Sequence, residues 1–284
     1  MKKNAIIFLI LSIAVIGASS QYVSGANEAA KPREFFAFDN GLQQIKSFDE
    51  KANLLKELGY DGIAWRGGAE AGKMIEALNS YGLRMYCSYI SATVDANNPT
   101  FDQRLIEDLE AMKKHQTIVW LCVIKGPDPN DESAVKVINQ VADLADQSGL
   151  DVVLYPHAGF YIATVQDAIR LTKKVNRSNV YMSFNLCHFL KTDDEKNLET
   201  TLKASAPYLR LVSINGADSG DTQSMDWDRL IQPLGDGSFE IGKIMKILDE
   251  IGYTGPVGLQ CYNVKGDDRK NLTKSMKAWK KLSE

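Results

Sequence analysis

The chain reads as a single (β/α)8 TIM barrel, an α/β fold of eight parallel strands each followed by a helix. Three features predict it. Short apolar runs of strand length recur eight times, the segments between them carry apolar residues at spacings of three and four, and several of those segments end in a glycine just before the next run. Continuous apolar strands alternating with amphipathic helices belong to a parallel sheet buried on both faces, and eight repeats close it. A doubly wound open sheet is the competing architecture, but it places a glycine-rich turn after its first strand. Here the first run leads into Asp39-Asn-Gly-Leu-Gln43, with no GxGxxG.

From the N-terminus, two lysines precede an apolar stretch from Ala5 to Gly17, and small residues follow as far as Ser24-Gly-Ala26. That is the pattern of a secretory signal peptide. Its apolar core is shorter than the roughly 20 residues of a membrane span, although a retained signal anchor is the alternative. Residues 1–26 are therefore assigned to the signal peptide and residues 27–284 to the barrel domain. The mature protein is expected to be exported, in the periplasm, and free of the membrane.

The strand runs are Phe35–Phe38, Gly62–Trp65, Arg84–Tyr89, Ile118–Ile124, Val152–His157, Val180–Asn185, Leu209–Ile214 and Val257–Tyr262. Helical spacing is plainest in Phe48–Leu58, Ala134–Gln147 and Phe239–Asp249. Gly59, Gly82, Gly149 and Gly252 stand just past helix ends, where a left-handed residue closes the last turn.

A formal charge of -3 and a pI near 5.8, with basic and acidic residues interspersed along the helices, exclude a polyanion partner such as nucleic acid. The four cysteines, Cys87, Cys122, Cys187 and Cys261, lie inside predicted strands without metal-ligand spacing and are expected to be buried free thiols.

Two of the three histidines end apolar runs: His157 closes Asp151–His157 and His188 closes Val180–His188. In a barrel the reacting groups stand at the C-terminal ends of strands, and alternate residues point inward. Tyr155 and His157 then share a face, as do Ser213 and Asn215, and Gln260 and Tyr262. Asn185, Lys125, Tyr89 and Trp65 stand at or near other strand ends, so these tips converge on one mouth. His115, between a helix and a strand, reads as a surface or helix-end charge.

These features resemble the xylose isomerase-like, or sugar phosphate isomerase/epimerase, family of TIM barrels. Gly59-Tyr-Asp-Gly-Ile63 looks like its second-strand start, Leu234-Gly-Asp-Gly-Ser-Phe-Glu-Ile241 resembles its LGxGxxD-type loop, and Gly252-Tyr-Thr-Gly-Pro-Val-Gly-Leu-Gln260 is similar to its last-strand signature. The resemblance implies a divalent metal held by carboxylates and histidine, yet the chain departs from that set. Tyr155 stands where the fifth-strand glutamate is expected, Asn185 where the sixth-strand aspartate is, Ser213 where a histidine is, and Gln260 where the last glutamate is. His157 and His188 are kept. Replacing carboxylates by neutral groups removes the anionic oxygens that hard cations need, so no firm cofactor is expected, and a weakly held Mn, Mg or Zn is the remaining one.

The resemblance implies an enzyme that abstracts a proton next to a sugar carbonyl, as a sugar isomerase or epimerase, or as a lyase or hydratase on 3-keto sugars. His157, His188, Lys125 and Tyr155 are the expected catalytic groups; Asn185, Asn215, Gln260, Tyr89, Trp65 and Tyr262 the expected contacts to a small sugar or keto-sugar substrate. A non-catalytic sugar-binding barrel is the alternative.

Overall fold

A computed structural model describes residues 33–66 and 70–283, so the segment assigned to the signal peptide lies outside the described residues. Among the described residues nine strands form one sheet: β1 (Phe35–Phe38), β2 (Gly62–Trp65), β3 (Arg84–Val94), β4 (Thr100–Phe101), β5 (Ile118–Lys125), β6 (Val152–Leu154), β7 (Val180–Asn185), β8 (Leu209–Ile214) and β9 (Val257–Leu259). Eight run parallel in the order β1, β2, β3, β5, β6, β7, β8, β9, and β9 pairs back to β1 to close the barrel. Two-residue β4 is an antiparallel addition to β3 that the apolar pattern does not announce.

The helices are α1 (Phe48–Leu58), α2 (Ala71–Ser80), α3 (Arg104–Met112), α4 (Asp131–Gln147), α5 (Val165–Val175), α6 (Leu186–Thr192), α7 (Leu198–Ser205), α8 (Trp227–Leu230), α9 (Gly242–Glu250) and α10 (Asp268–Leu282). Local chemistry sets their ends. The Ser47 hydroxyl accepts from the Glu50 amide at the start of α1, and Thr164 and Asp167 form a reciprocal capping box on α5. Gly59, Gly82, Gly149 and Gly252 all adopt positive φ, as left-handed caps require. Helix α9 starts later than its apolar spacing suggests because the Phe239 amide is tied to the Ala217 carbonyl.

Strand pleating sorts the core into two shells. Phe36, Phe38, Ala64, Tyr86, Trp120, Val153, Tyr155 and Leu211 fill the barrel interior, while the larger cluster, including Phe35, Ala37, Ile63 and Trp65, lies between strands and helices. Phe36 stacks on Tyr86 with centroids 4.5 Å apart. A Cβ on Gly258 would stand 2.5 Å from the Phe36 ring, so only glycine fits there. Trp120 is fully buried and its indole N–H donates to Ser183 Oγ at 2.9 Å.

Two strands end earlier than their apolar runs. After the Tyr155 amide reaches the Leu121 carbonyl, Pro156 has no N–H to continue the ladder beyond β6. Past β9, the Cys261 and Tyr262 amides turn to the Gln260 side chain. All four cysteines are free and buried. Among the described residues no helix is long and apolar enough to cross a membrane.

Candidate active site

The C-terminal ends of the strands open on a cavity of about 610 Å3. Of the expected site residues, Tyr89, Tyr155, His157, His188, Gln260 and Tyr262 line it. The buried end is formed by Tyr155 and Cys122, while Tyr262 is 52% exposed at the rim.

Hydrogen bonds fix the protonation of both imidazoles. In the turn after β6, His157 Nδ1 lies 2.9 Å from the Ala158 carbonyl, which can only accept, so Nδ1 carries the proton. Nε2 is left with a free lone pair and no partner among the described residues. The His157 ring stacks on Phe160, with centroids 3.9 Å apart, and its other face meets the His188 ring at 3.8 Å with a tilt of 38°. Burial depresses its pKa below the usual 6.5, and the bond to the Ala158 carbonyl opposes that only in part.

His188 is the reverse tautomer. Its Nδ1 accepts the Ala158 amide at 3.3 Å, so its Nε2 carries the proton and donates to the Tyr155 hydroxyl at 3.1 Å. Burial, reinforced by His157, holds this ring neutral, with its pKa well below 6.5. His188 does not end a strand as the sequence suggests; it lies in the first turn of α6. The reason is Asn185, whose Oδ1 accepts the His188 amide at 3.4 Å and caps the helix.

Asn185 Oδ1 also accepts from the Cys187 thiol, which makes its Nδ2 the group that meets Tyr155 Oη at 3.2 Å. The Tyr155 oxygen therefore accepts two hydrogen bonds, from Asn185 and from His188, and its own proton is directed to the cavity side, where the Tyr89 hydroxyl is a further hydrogen-bond partner. Burial raises its pKa well above 10, so the phenol keeps that proton. On the other side of the mouth Gln260 Oε1 accepts from Asn40 Nδ2 at 2.9 Å and from two backbone amides, leaving Nε2 to face ligand.

Four expected site residues stand apart from the cavity, and Asn185 reaches it only through Tyr155. Trp65 points outward, because Ala64 takes the inward place on β2; its ring packs edge-on to Phe48 at 5.7 Å. Lys125 ends β5 exposed and outside the cavity lining. Asn215 spends Nδ2 on the Gly216 and Leu230 carbonyls, each at 2.7 Å, and so fastens the loop after β8. Ser213 is fully buried beneath the mouth. Conversely, Arg66, Arg104, Phe160, Trp227, Asn40 and Ser91 line the cavity. Arg66, one residue beyond β2, carried a positional signal; Arg104 and Trp227 open helices and carried none.

The residues do not fit a divalent metal. Among the described residues no group of three or more His, Cys, Asp or Glu side chains is placed to hold one. Both nitrogens of His188 are engaged, and the remaining positions offer a phenol, a hydroxyl and two amides. Such donors lack the anionic oxygen or thiolate that these ions require.

The closed barrel, with two imidazoles and a phenol lining the cavity at its C-terminal mouth, defines a TIM-barrel protein whose pocket lies where barrels of this kind place theirs. Residues 52–282 match the xylose isomerase-like TIM barrel family, and the chain belongs to it. No curated protein matches. Similar solved structures include the IOLI protein with a binding zinc atom, at 15% identity and a TM-score of 0.71, covering 88% of this chain and 98% of that one. The 3-keto-D-glucoside 4-epimerase YcjR from E. coli, at 17% identity and 0.69, covers 88% and 99%. The probable 3-DHS dehydratase AsbF of Bacillus anthracis, involved in petrobactin synthesis, at 14% and 0.69, covers 87% and 98%.

Proposed function

We propose that the protein is a sugar-modifying enzyme that removes a proton from the carbon next to a sugar carbonyl, acting as an isomerase or epimerase, or as a lyase or hydratase on 3-keto sugars. The observation that carries this reading is the pair of His157, with an unpartnered Nε2 lone pair in the cavity, and Tyr155, whose protonated hydroxyl stands beside that of Tyr89 in the same lining. A base and a hydrogen-bond donor to the developing oxyanion are the two groups that enolisation needs. His157 Nε2 takes the C–H proton and the electron pair moves toward the carbonyl, whose oxygen receives the Tyr155 hydrogen bond. Return of the proton to the opposite face of the same carbon epimerises the sugar; its delivery to the former carbonyl carbon, with the hydroxyl proton of the enediol passing from the second oxygen to the first, isomerises it; departure of a protonated leaving group from the next carbon eliminates. His188 and Asn185 are positioning residues that hold the Tyr155 oxygen.

Membership of the family and the likeness to a 3-keto-glucoside epimerase and a dehydratase support this class of chemistry. No step is routed through a metal, given the donor set. Export to the periplasm belongs to the same reading, since free sugars and glycosides are the substrates met there. Proton NMR in D2O with glucose, xylose and a 3-keto-glucoside tests it. The expected result is loss of a C2 proton signal or a new product with the wild type and neither with His157→Gln. No exchange with any of the three would favour a sugar-binding barrel instead.

A further inference from the structure

Thirty-six acidic residues stand in this chain, yet none of the described residues lining the cavity is one of them. Two arginines are, Arg66 and Arg104. Arg104 is held by Asp102, with Nε 2.9 Å from the carboxylate, so part of its charge is already answered. Arg66 makes no ion pair among the described residues. The acid nearest in effect is Asp39, which is 6% exposed, does not line the cavity, feels Lys51 as well, and is pushed toward its neutral form by burial. The cavity lining therefore holds two arginines and no carboxylate, in a chain that is negative overall.

Strand order places that charge. Arg66 directly follows β2, His188 lies just past β7, and three strands separate β2 from β7 in either direction round the barrel. The Arg66 guanidinium and the His157–His188–Tyr155 cluster thus face each other across the opening. An anion held by Arg66 sits at the far end of a ligand from the carbon that His157 reaches.

The anion is a carboxylate rather than a phosphate. Barrel phosphate sites use backbone amides of the loops after the late strands, and here that loop is spent. The Asp236 amide donates to the Pro233 carbonyl, Ser238 to the Asp218 carboxylate and Phe239 to the Ala217 carbonyl. Gly237, at φ +80°, lies so close to Ala217 that a Cβ would stand 2.0 Å from its carbonyl oxygen. None of these residues lines the cavity. What remains is a guanidinium fork, which pairs with either anion through two parallel hydrogen bonds; without a cradle of loop amides beside it, the smaller singly charged carboxylate is the anion it can hold alone.

We propose that the cavity takes a sugar acid, a monosaccharide or keto-sugar whose carboxylate lies remote from the reacting carbonyl, with Arg66 as the anchor and Arg104 as a secondary contact. The inference rests on the function proposed above for the location of the site, and its test reads binding alone. Titration calorimetry at low ionic strength would compare glucuronate, galacturonate and mannuronate with glucose, galactose and mannose and with the three hexose 6-phosphates. At least one uronate is expected to bind about tenfold or more tightly than its neutral counterpart, the size of one charge-assisted contact. Arg66→Gln should remove about that factor for the uronate and leave the neutral sugar unchanged, while Arg104→Gln should cost less. Equal affinity for acid and neutral sugar, no binding of any uronate, or tighter binding of a 6-phosphate would each overturn the proposal. Because these are equilibrium constants, a failure of deuterium exchange leaves them unaffected, so the two readings fail separately.

Discussion

At the scale of single residues, the site is a chain of hydrogen bonds that leaves the His157 Nε2 lone pair unspent and turns the Tyr155 hydroxyl toward the cavity beside Tyr89. In the proposed reaction His157 Nε2 serves as the base because Nδ1 is committed to a carbonyl, and its depressed pKa keeps that lone pair available below neutrality. The expected kcat/KM profile therefore falls on the acid side with an apparent pKa under 6.5 and is level through pH 7; an acid limb above 7 would assign the base elsewhere. His157→Gln should lower turnover by about 10²- to 10⁴-fold, the range of general-base catalysis. Tyr155→Phe removes only an oxygen, but it strands His188 Nε2–H and Asn185 Nδ2 without their acceptor. A loss of about 1–3 kcal/mol in stability is expected alongside the fall in kcat, measured by urea unfolding. The two imidazoles add a pH dependence. Both have folded pKa values below the unfolded 6.5, so the unfolded chain binds protons more readily, and their contribution, complete above about 6.5, is lost as pH falls below it.

At the scale of elements, the turn from β7 into α6 couples fold to site. Asn185 is the last residue of the strand, the cap of the helix and the donor to Tyr155. Asn185→Ala should cost about 1 kcal/mol through the lost cap alone. Asn185→Asp keeps an oxygen for the His188 amide but has no N–H for Tyr155, so it should recover stability and not activity; recovery of both would remove the donor role. This turn also shows what the sequence concealed. The apolar run through Cys187 and His188 looks like more strand, because a buried short helix and a buried strand are alike in hydrophobicity and differ only in the capping asparagine. The β6 end comes earlier than the apolar run suggests because Tyr155 prolongs the run while Pro156, with no N–H, stops the ladder. Strand positions, left-handed glycine caps and the two histidines were legible because periodicity and glycine conformation are local properties. Arg66, Arg104 and Trp227 were less so, since loops bring them to the mouth from distant parts of the chain. Trp65 was misplaced by one step of the pleat.

At the scale of the whole molecule, the barrel is that of a family with metal-holding relatives, whereas the mouth is built from neutral donors and cations. The two facts together make a test of the molecule rather than of one residue. A resident metal present at about a thousand times its Kd would add about 4 kcal/mol to folding, and in a barrel of this length that is about 8 °C or more in Tm. The side chains at the family's ligand positions, Tyr155, Asn185, Ser213 and Gln260, already satisfy each other or the backbone, or are buried beneath the mouth, and the two arginines repel a cation. Purified protein is therefore expected to carry well under one equivalent of divalent metal by elemental analysis, and neither EDTA nor millimolar Mn2+ should move its Tm by more than a degree or so. Near-stoichiometric zinc or manganese together with a clear fall in Tm on chelation would show that imidazole and amide oxygens suffice here. The neutral-donor account of the site would then have to be replaced by one in which His157 is a ligand and its lone pair is not free for proton transfer.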